Sequence, residues 1–173
     1  MSESRLSVCV EEGHQLYGRI VIPIREYWTG HIMGWTGRSY TGGWPKYFNM
    51  LETVLVTGWR APGRTTPAVV VEGHLDGIAV RRAGFSAAVI GGIGFGDLSE
   101  WAARLLPEQW VVVMLDGDAP EASNRLYWNI AAVRTTARLA LVTLDLNADP
   151  AGLGPDAVKR YVLEAISDGD GTS

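Results

Sequence analysis

The feature that most constrains this chain is an unbroken apolar run, Ala68-Val69-Val70-Val71, closed by Glu72. A run with no polar alternation fits a strand covered on both faces, not one with a wet side. The pattern downstream repeats that theme. Residues 75–83 have helical spacing and stop at Gly84, which suits a helix C-terminus. Ala87 to Ile90 reads as a second strand. Asp97 to Leu106 reads as a second helix, with Asp97 as N-cap and Pro107 just past its end. Trp110 to Leu115 is a third strand, residues 121–136 a third helix, and Leu139 to Leu144 a fourth strand. A last helix runs from Pro155, placed in its first turn, to Ile166. Alternation of this kind predicts a mostly parallel four-stranded α/β sheet with flanking helices.

The first third has a different texture. Arg19 to Arg25 is short, β-branched and bounded by polar residues, and His31 to Trp35 follows it across the turn residues Trp28-Thr29-Gly30. A loop from Gly37 to Trp44 leads into Pro45-Lys46-Tyr47-Phe48-Asn49. Ala61 to Pro67 reads as a linker. The expected organisation is a small antiparallel β-rich subdomain over residues 1–66 and an α/β domain over 67–173. The final stretch, Asp168 to Ser173, is expected to be flexible. Residues 1–66 carry seven Lys/Arg against five Asp/Glu, whereas 67–173 carry eight against fourteen. An acidic half beside a mildly basic one suits a metal site next to a phosphate-touching surface, although chance scatter gives the same picture. The single cysteine, Cys9, excludes an internal disulfide or a cysteine-rich zinc site. The residues after Met1 lack the apolar core of a signal peptide, and no apolar run approaches membrane-spanning length. A soluble cytoplasmic protein without membrane association is expected.

Carboxylates fall where strands end. Glu72 closes the first strand of the α/β domain, and Asp116 and Asp118 close the third around Gly117. Ligands bind at the carboxyl ends of strands in such sheets, so these groups would share one crevice. In an extended chain Asp116 and Asp118 would point the same way, and Gly117 would let the backbone approach a ligand. Hard oxygen donors of this type suit Mg²⁺ or Mn²⁺. Asp76 either supports that site or serves the first turn of its helix. Gly92-Ile93-Gly94 fails as a dinucleotide fingerprint because position 97 is Asp97, but a close backbone approach to phosphate at Gly92 and Gly94 fits.

Val71-Glu72-Gly73-His74-Leu75-Asp76, Ala83-Gly84-Phe85, Ile90-Gly91-Gly92-Ile93-Gly94 and Leu115-Asp116-Gly117-Asp118-Ala119 occur in the order of the Toprim signature, which they closely resemble. Asn147-Ala148-Asp149-Pro150 resembles that family's final aspartate-proline motif, with Ala151 where primases commonly place a second acid. Upstream, Gly18 to Arg25, Gly34-Trp35-Thr36-Gly37-Arg38, Pro45 to Asn49 and Glu52-Thr53 resemble the segment that precedes Toprim in DnaG-type bacterial and phage primases. The resemblance covers residues 6–165. It implies a Toprim, Rossmann-like sheet preceded by the β-rich subdomain. It also implies a nucleotidyltransferase that makes RNA primers on single-stranded DNA in replication, here with a phage in view.

By motif, Glu72, Asp116 and Asp118 become the catalytic, metal-holding residues, with Asp76 and Asp149 in support and Mg²⁺ or Mn²⁺ as cofactor. Arg38, Lys46 and Asn49 become contacts to DNA or nucleotide phosphates, unless the two cations are ordinary solvated side chains. Trp35, Tyr40, Trp44, Tyr47 and Phe48 interleave with them and either stack bases or pack internally. A further basic residue of the family falls near Thr57. The implied partners are a single-stranded DNA template and ribonucleoside triphosphates, with a separate zinc-ribbon or helicase protein supplying what this chain lacks. Two alternatives stand beside this reading: a Toprim-type metal-dependent nuclease, and a non-catalytic DNA-binding subunit of a replication complex.

Overall fold

The computed structural model describes residues 6–51, 56–91, 95–134 and 138–170. Glu52-Thr53, Gly92 and Gly94 lie outside the described residues. The chain first builds an antiparallel sheet of four strands in sequential order: β1 (Ser7–Cys9), β2 (Arg19–Arg25), β3 (Ile32–Ser39) and β4 (Tyr47–Leu51). The β2–β3 turn is closed by the Glu26 carboxylate, which accepts from the Thr29 amide at 2.6 Å and the Thr29 hydroxyl at 2.7 Å. Gly30 takes a left-handed φ of 72° at the same turn. Pro23 sits inside β2 next to β1, which among the described residues pairs with β2 only as far as Val21. Ile22 and Ile24 alternate onto the buried face.

The second sheet has the order β5-β7-β6-β8-β9, with β5 (Thr57–Trp59), β6 (Ala68–Val71), β7 (Ser86–Val89), β8 (Val111–Val113) and β9 (Leu139–Leu141). The last four are mutually parallel, as the alternation predicts. The sheet is nevertheless five-stranded, because β5 pairs antiparallel with the outer edge of β7. Helices cover both faces. Val69 and Val71 point into one core with α1 (His74–Arg82) and α5 (Pro155–Asp170). Ala68 and Val70 point into the other with α2 (Phe95–Ala103) and α3 (Pro120–Val133). That two-sided burial is why β6 reads as a continuous apolar run. A short α4 (Pro150–Leu153) precedes α5.

Three local expectations change. The second helix begins at Phe95, so Asp97 lies in its first turn and is not its N-cap. The last helix continues through Asp170, so residues 168–170 are helical and not a loose tail. Gly169 is seated on the Trp110 ring there, and a Cβ on it would approach that ring to 2.7 Å. β1 and β5, each three residues long, have no counterpart in the sequence reading. The two sheets meet where β5 begins: Glu26 bridges to Thr57, and the Tyr27 amide donates to the Val56 carbonyl at 3.4 Å.

Candidate active site

Glu72 leaves β6 exposed, and Gly73 starts α1 as its N-cap. Asp76, at the third helical position, reaches back so that Oδ2 accepts the Gly73 amide at 3.1 Å. Its other oxygen accepts the Ala151 amide at 3.1 Å, seventy-five residues away at the start of α4. Asp76 is therefore a buried latch between α1 and α4, with both oxygens engaged on backbone N–H groups. Asp149 is similarly committed as the N-cap of α4, accepting the Gly152 amide at 2.6 Å.

Asp116 and Asp118 sit in a turn, not on an extended strand, so the extended geometry behind the same-side expectation is absent. Asp118 is exposed; Asp116 is half-buried, and its Oδ1 is buried without a hydrogen-bond partner. The close approach made possible by Gly117 is to another loop. Its amide donates to the Ala148 carbonyl at 2.8 Å, and a Cβ there would stand 1.9 Å from the Asp145 carbonyl oxygen. The Asp116–Asp118 turn is thus clamped onto the segment that delivers Asp149. Desolvation, followed by the charges of Asp76, Glu72, Asp149 and Asp118, pushes the Asp116 carboxyl up to about 6.

The β3–β4 pair faces this acidic rim. Arg38 donates from Nη1 to the Tyr47 hydroxyl at 3.2 Å and lies over the Tyr47 ring at 5.6 Å. Burial raises the Tyr47 hydroxyl; Arg38 opposes the rise, and Asp76 and Asp149 add to it, so the strand lies within the acids' field. Lys46 is exposed, with Nζ 5.9 Å from the same ring. Asn49 accepts the Thr36 hydroxyl at 2.6 Å. Between Arg38 of the antiparallel sheet and the α1 and α4 helices runs an open groove of about 500 Å³, lined by Arg38, Leu75, Ile78, Asp149 and Gly152 among others.

No protein-family model matches the chain. It is 30% identical over 161 residues to the DNA primase of Deinococcus radiodurans, a match that covers 84% of this chain and 28% of that protein. It is 35% identical over 103 residues to the DNA primase of Synechococcus elongatus, covering 51% of this chain and 15% of that one. The chain thus spans less than a third of the length of these relatives. Among solved structures, a DNA primase domain from Pseudomonas aeruginosa superposes with a TM-score of 0.66 at 24% identity, over 94% of this chain and 56% of that one. A DnaG primase catalytic domain bound to single-stranded DNA superposes with a TM-score of 0.62 at 23% identity, over 87% and 54%.

The fold is that of a DnaG-type primase core. Its Toprim unit carries Glu72, Asp116, Asp118 and Asp149, and its β-rich unit carries Arg38 and Lys46.

Two contacts of this DnaG-type core could not be read in the sequence. Thr57, near where the resemblance places a basic residue, is buried, and its hydroxyl stands 3.2 Å from His74 Nε2 and 3.3 Å from the Val89 carbonyl. Burial pulls the His74 imidazole down to about 4, so it is neutral at physiological pH. His74 follows Glu72 by two residues, which is the one signal that could have marked it. Gly91, opening the glycine loop, donates to the Glu72 carbonyl at 2.9 Å and lies over the His74 ring edge. Among the described residues, no three acidic, imidazole or thiol groups stand as a ready chelate. The orphaned Asp116 oxygen and the mutual repulsion of the carboxylates are what a divalent cation would relieve, so the donor set fits one.

Proposed function

We propose that this chain is the catalytic core of a primase that joins ribonucleotides on a single-stranded DNA template, with Mg²⁺ or Mn²⁺ as cofactor. The observation that carries the reading is Asp116: a carboxylate with an unpartnered buried oxygen, raised by desolvation and by four neighbouring acids, in a chain whose β3–β4 pair bears Arg38 and Lys46. Glu72, Asp116 and Asp118 would hold the metal. It would polarise phosphoryl oxygens and stabilise the charge that develops in transfer. Asp76 and Asp149 keep α1 and α4 in place behind those ligands and add to the negative field. Arg38 and Lys46 orient phosphates along the groove, and the bulk of the Toprim sheet behind Asp116 excludes water from one side of the reacting oxygens. A zinc-ribbon or helicase protein acting with the chain, and a phage setting, belong to the same reading.

The test is product formation on single-stranded DNA. Oligoribonucleotides that require ribonucleoside triphosphates and Mn²⁺, release pyrophosphate and vanish in Glu72→Gln are the expected result. Metal-dependent shortening of labelled DNA without nucleotides, also lost in Glu72→Gln, would replace the reading with a nuclease.

A further inference from the structure

Trp44 is the most open large apolar side chain among the described residues, 91% exposed, in a protein that buries Trp59, Trp101 and Trp110. It contributes nothing to the core, and no other ring or cation of the described residues lies over it. Yet the backbone that carries it is tied down on both sides. The Ser39 amide donates to the Lys46 carbonyl at 3.0 Å, closing the β3–β4 connection. The Gly43 amide donates to the Ser39 hydroxyl at 2.8 Å. Arg19, itself buried beneath the sheet with its guanidinium over Phe48, donates to the Pro45 carbonyl at 2.7 Å. The residues before and after Trp44 are therefore fixed, and only the indole projects. A held pedestal with a bare aromatic is the arrangement that stacking on a flat ligand requires, since little is lost to ordering on binding.

Position decides the ligand. Lys46 follows two residues later, and Arg38 sits across the strand pair from Tyr47, which lies in the field of Asp76 and Asp149. Along the β3–β4 pair, Arg38 and Tyr47 stand nearest the carboxylates, and Lys46 and Trp44 follow in the chain toward the connection. Tyr40, 55% exposed, stands on the opposite arm of the same connection. Cations followed by an open aromatic match a single nucleic-acid strand, phosphates on the former and an unpaired base on the latter. Resting on the primase reading above, we infer that Trp44 is a base-stacking platform that grips the single-stranded template beyond the catalytic crevice.

The experiment is fluorescence anisotropy with labelled oligo(dT) and with an abasic strand of equal length, at several salt concentrations. Trp44→Leu is expected to weaken oligo(dT) binding by about 5- to 100-fold. Its salt slope should stay unchanged, because no phosphate contact is lost. Trp44→Phe should keep most of the affinity, and the abasic strand should not distinguish Trp44→Leu from the wild type. Since the side chain is solvated, the thermal midpoint should not move. Full oligo(dT) binding by Trp44→Leu, or equal loss on the abasic strand, overturns this inference alone. Failure of the wild type to bind any single strand overturns it together with the template reading.

Discussion

Asp116 gathers the electrostatic tension of the acidic rim in one side chain. Its carboxyl titrates near 6 because desolvation and four neighbouring acids oppose its ionisation. Relative to an ordinary value of about 4 in the unfolded chain, the raised folded value makes the protonated form the stabilising one. That contribution is complete below about pH 4 and is lost as pH rises through 6. In metal-free protein with chelator present, Asp116→Asn is therefore expected to raise the thermal midpoint at pH 7.5, the advantage vanishing below pH 4; melting curves across that range check it. The same substitution combined with Asp118→Asn should abolish Mn²⁺ binding in calorimetry while the fold persists. Equal Mn²⁺ binding by both proteins would remove the site from Asp116.

Among the elements, those that depend on local pattern were legible and those that depend on distant partners were not. β2 spans Arg19–Arg25 as read, since charged ends bracket an apolar, β-branched middle. β6 was visible for the reason that makes it central: both faces are covered. β5 was missed because three residues carry no period and its partner β7 lies some thirty residues on. Glu72, Asp116 and Asp118 stand out by their place at predicted strand ends and Asp149 by its resemblance to the aspartate-proline motif, but the Asp76–Ala151 hydrogen bond could not be read, since nothing in either residue encodes the other. At Gly117 the sequence pointed to a close backbone approach but not to its protein partner. This glycine admits the Asp145 carbonyl, and that contact couples the β8 turn to the α4 approach. Gly117→Ala must push these loops apart, with a destabilisation of about 1–3 kcal/mol. Urea unfolding reads the loss as a lower midpoint at an unchanged slope.

Over the whole molecule, a net charge of −4 opposes adhesion to nucleic acid, so binding must rely on the cations the fold gathers on one wall. Single-stranded DNA affinity is expected to be modest and to fall steeply with salt. Arg38→Ala and Lys46→Ala should each weaken it and reduce the logarithmic salt slope by about one ion. Unchanged affinity in both, measured by titration at several ionic strengths, would return the two side chains to the role of ordinary surface charges. The charge asymmetry between the halves was readable in the sequence; that the basic half turns toward the acidic rim depends on how the sheets meet at Glu26 and Thr57.

That meeting point has a consequence for how the molecule can be divided. The strand guarding the open edge of β7 is drawn from upstream of the Ala61–Pro67 connection, and Tyr27 and Val56 upstream of it help seal one of the two cores. Cutting at the connection would strip a protective selvedge from the catalytic half and bare a row of unpaired amides and carbonyls, the surface on which chains template one another into aggregates. Across the Ala61–Pro67 connection the two halves share a sheet and a core, so an engineered cut there takes part of each from the other.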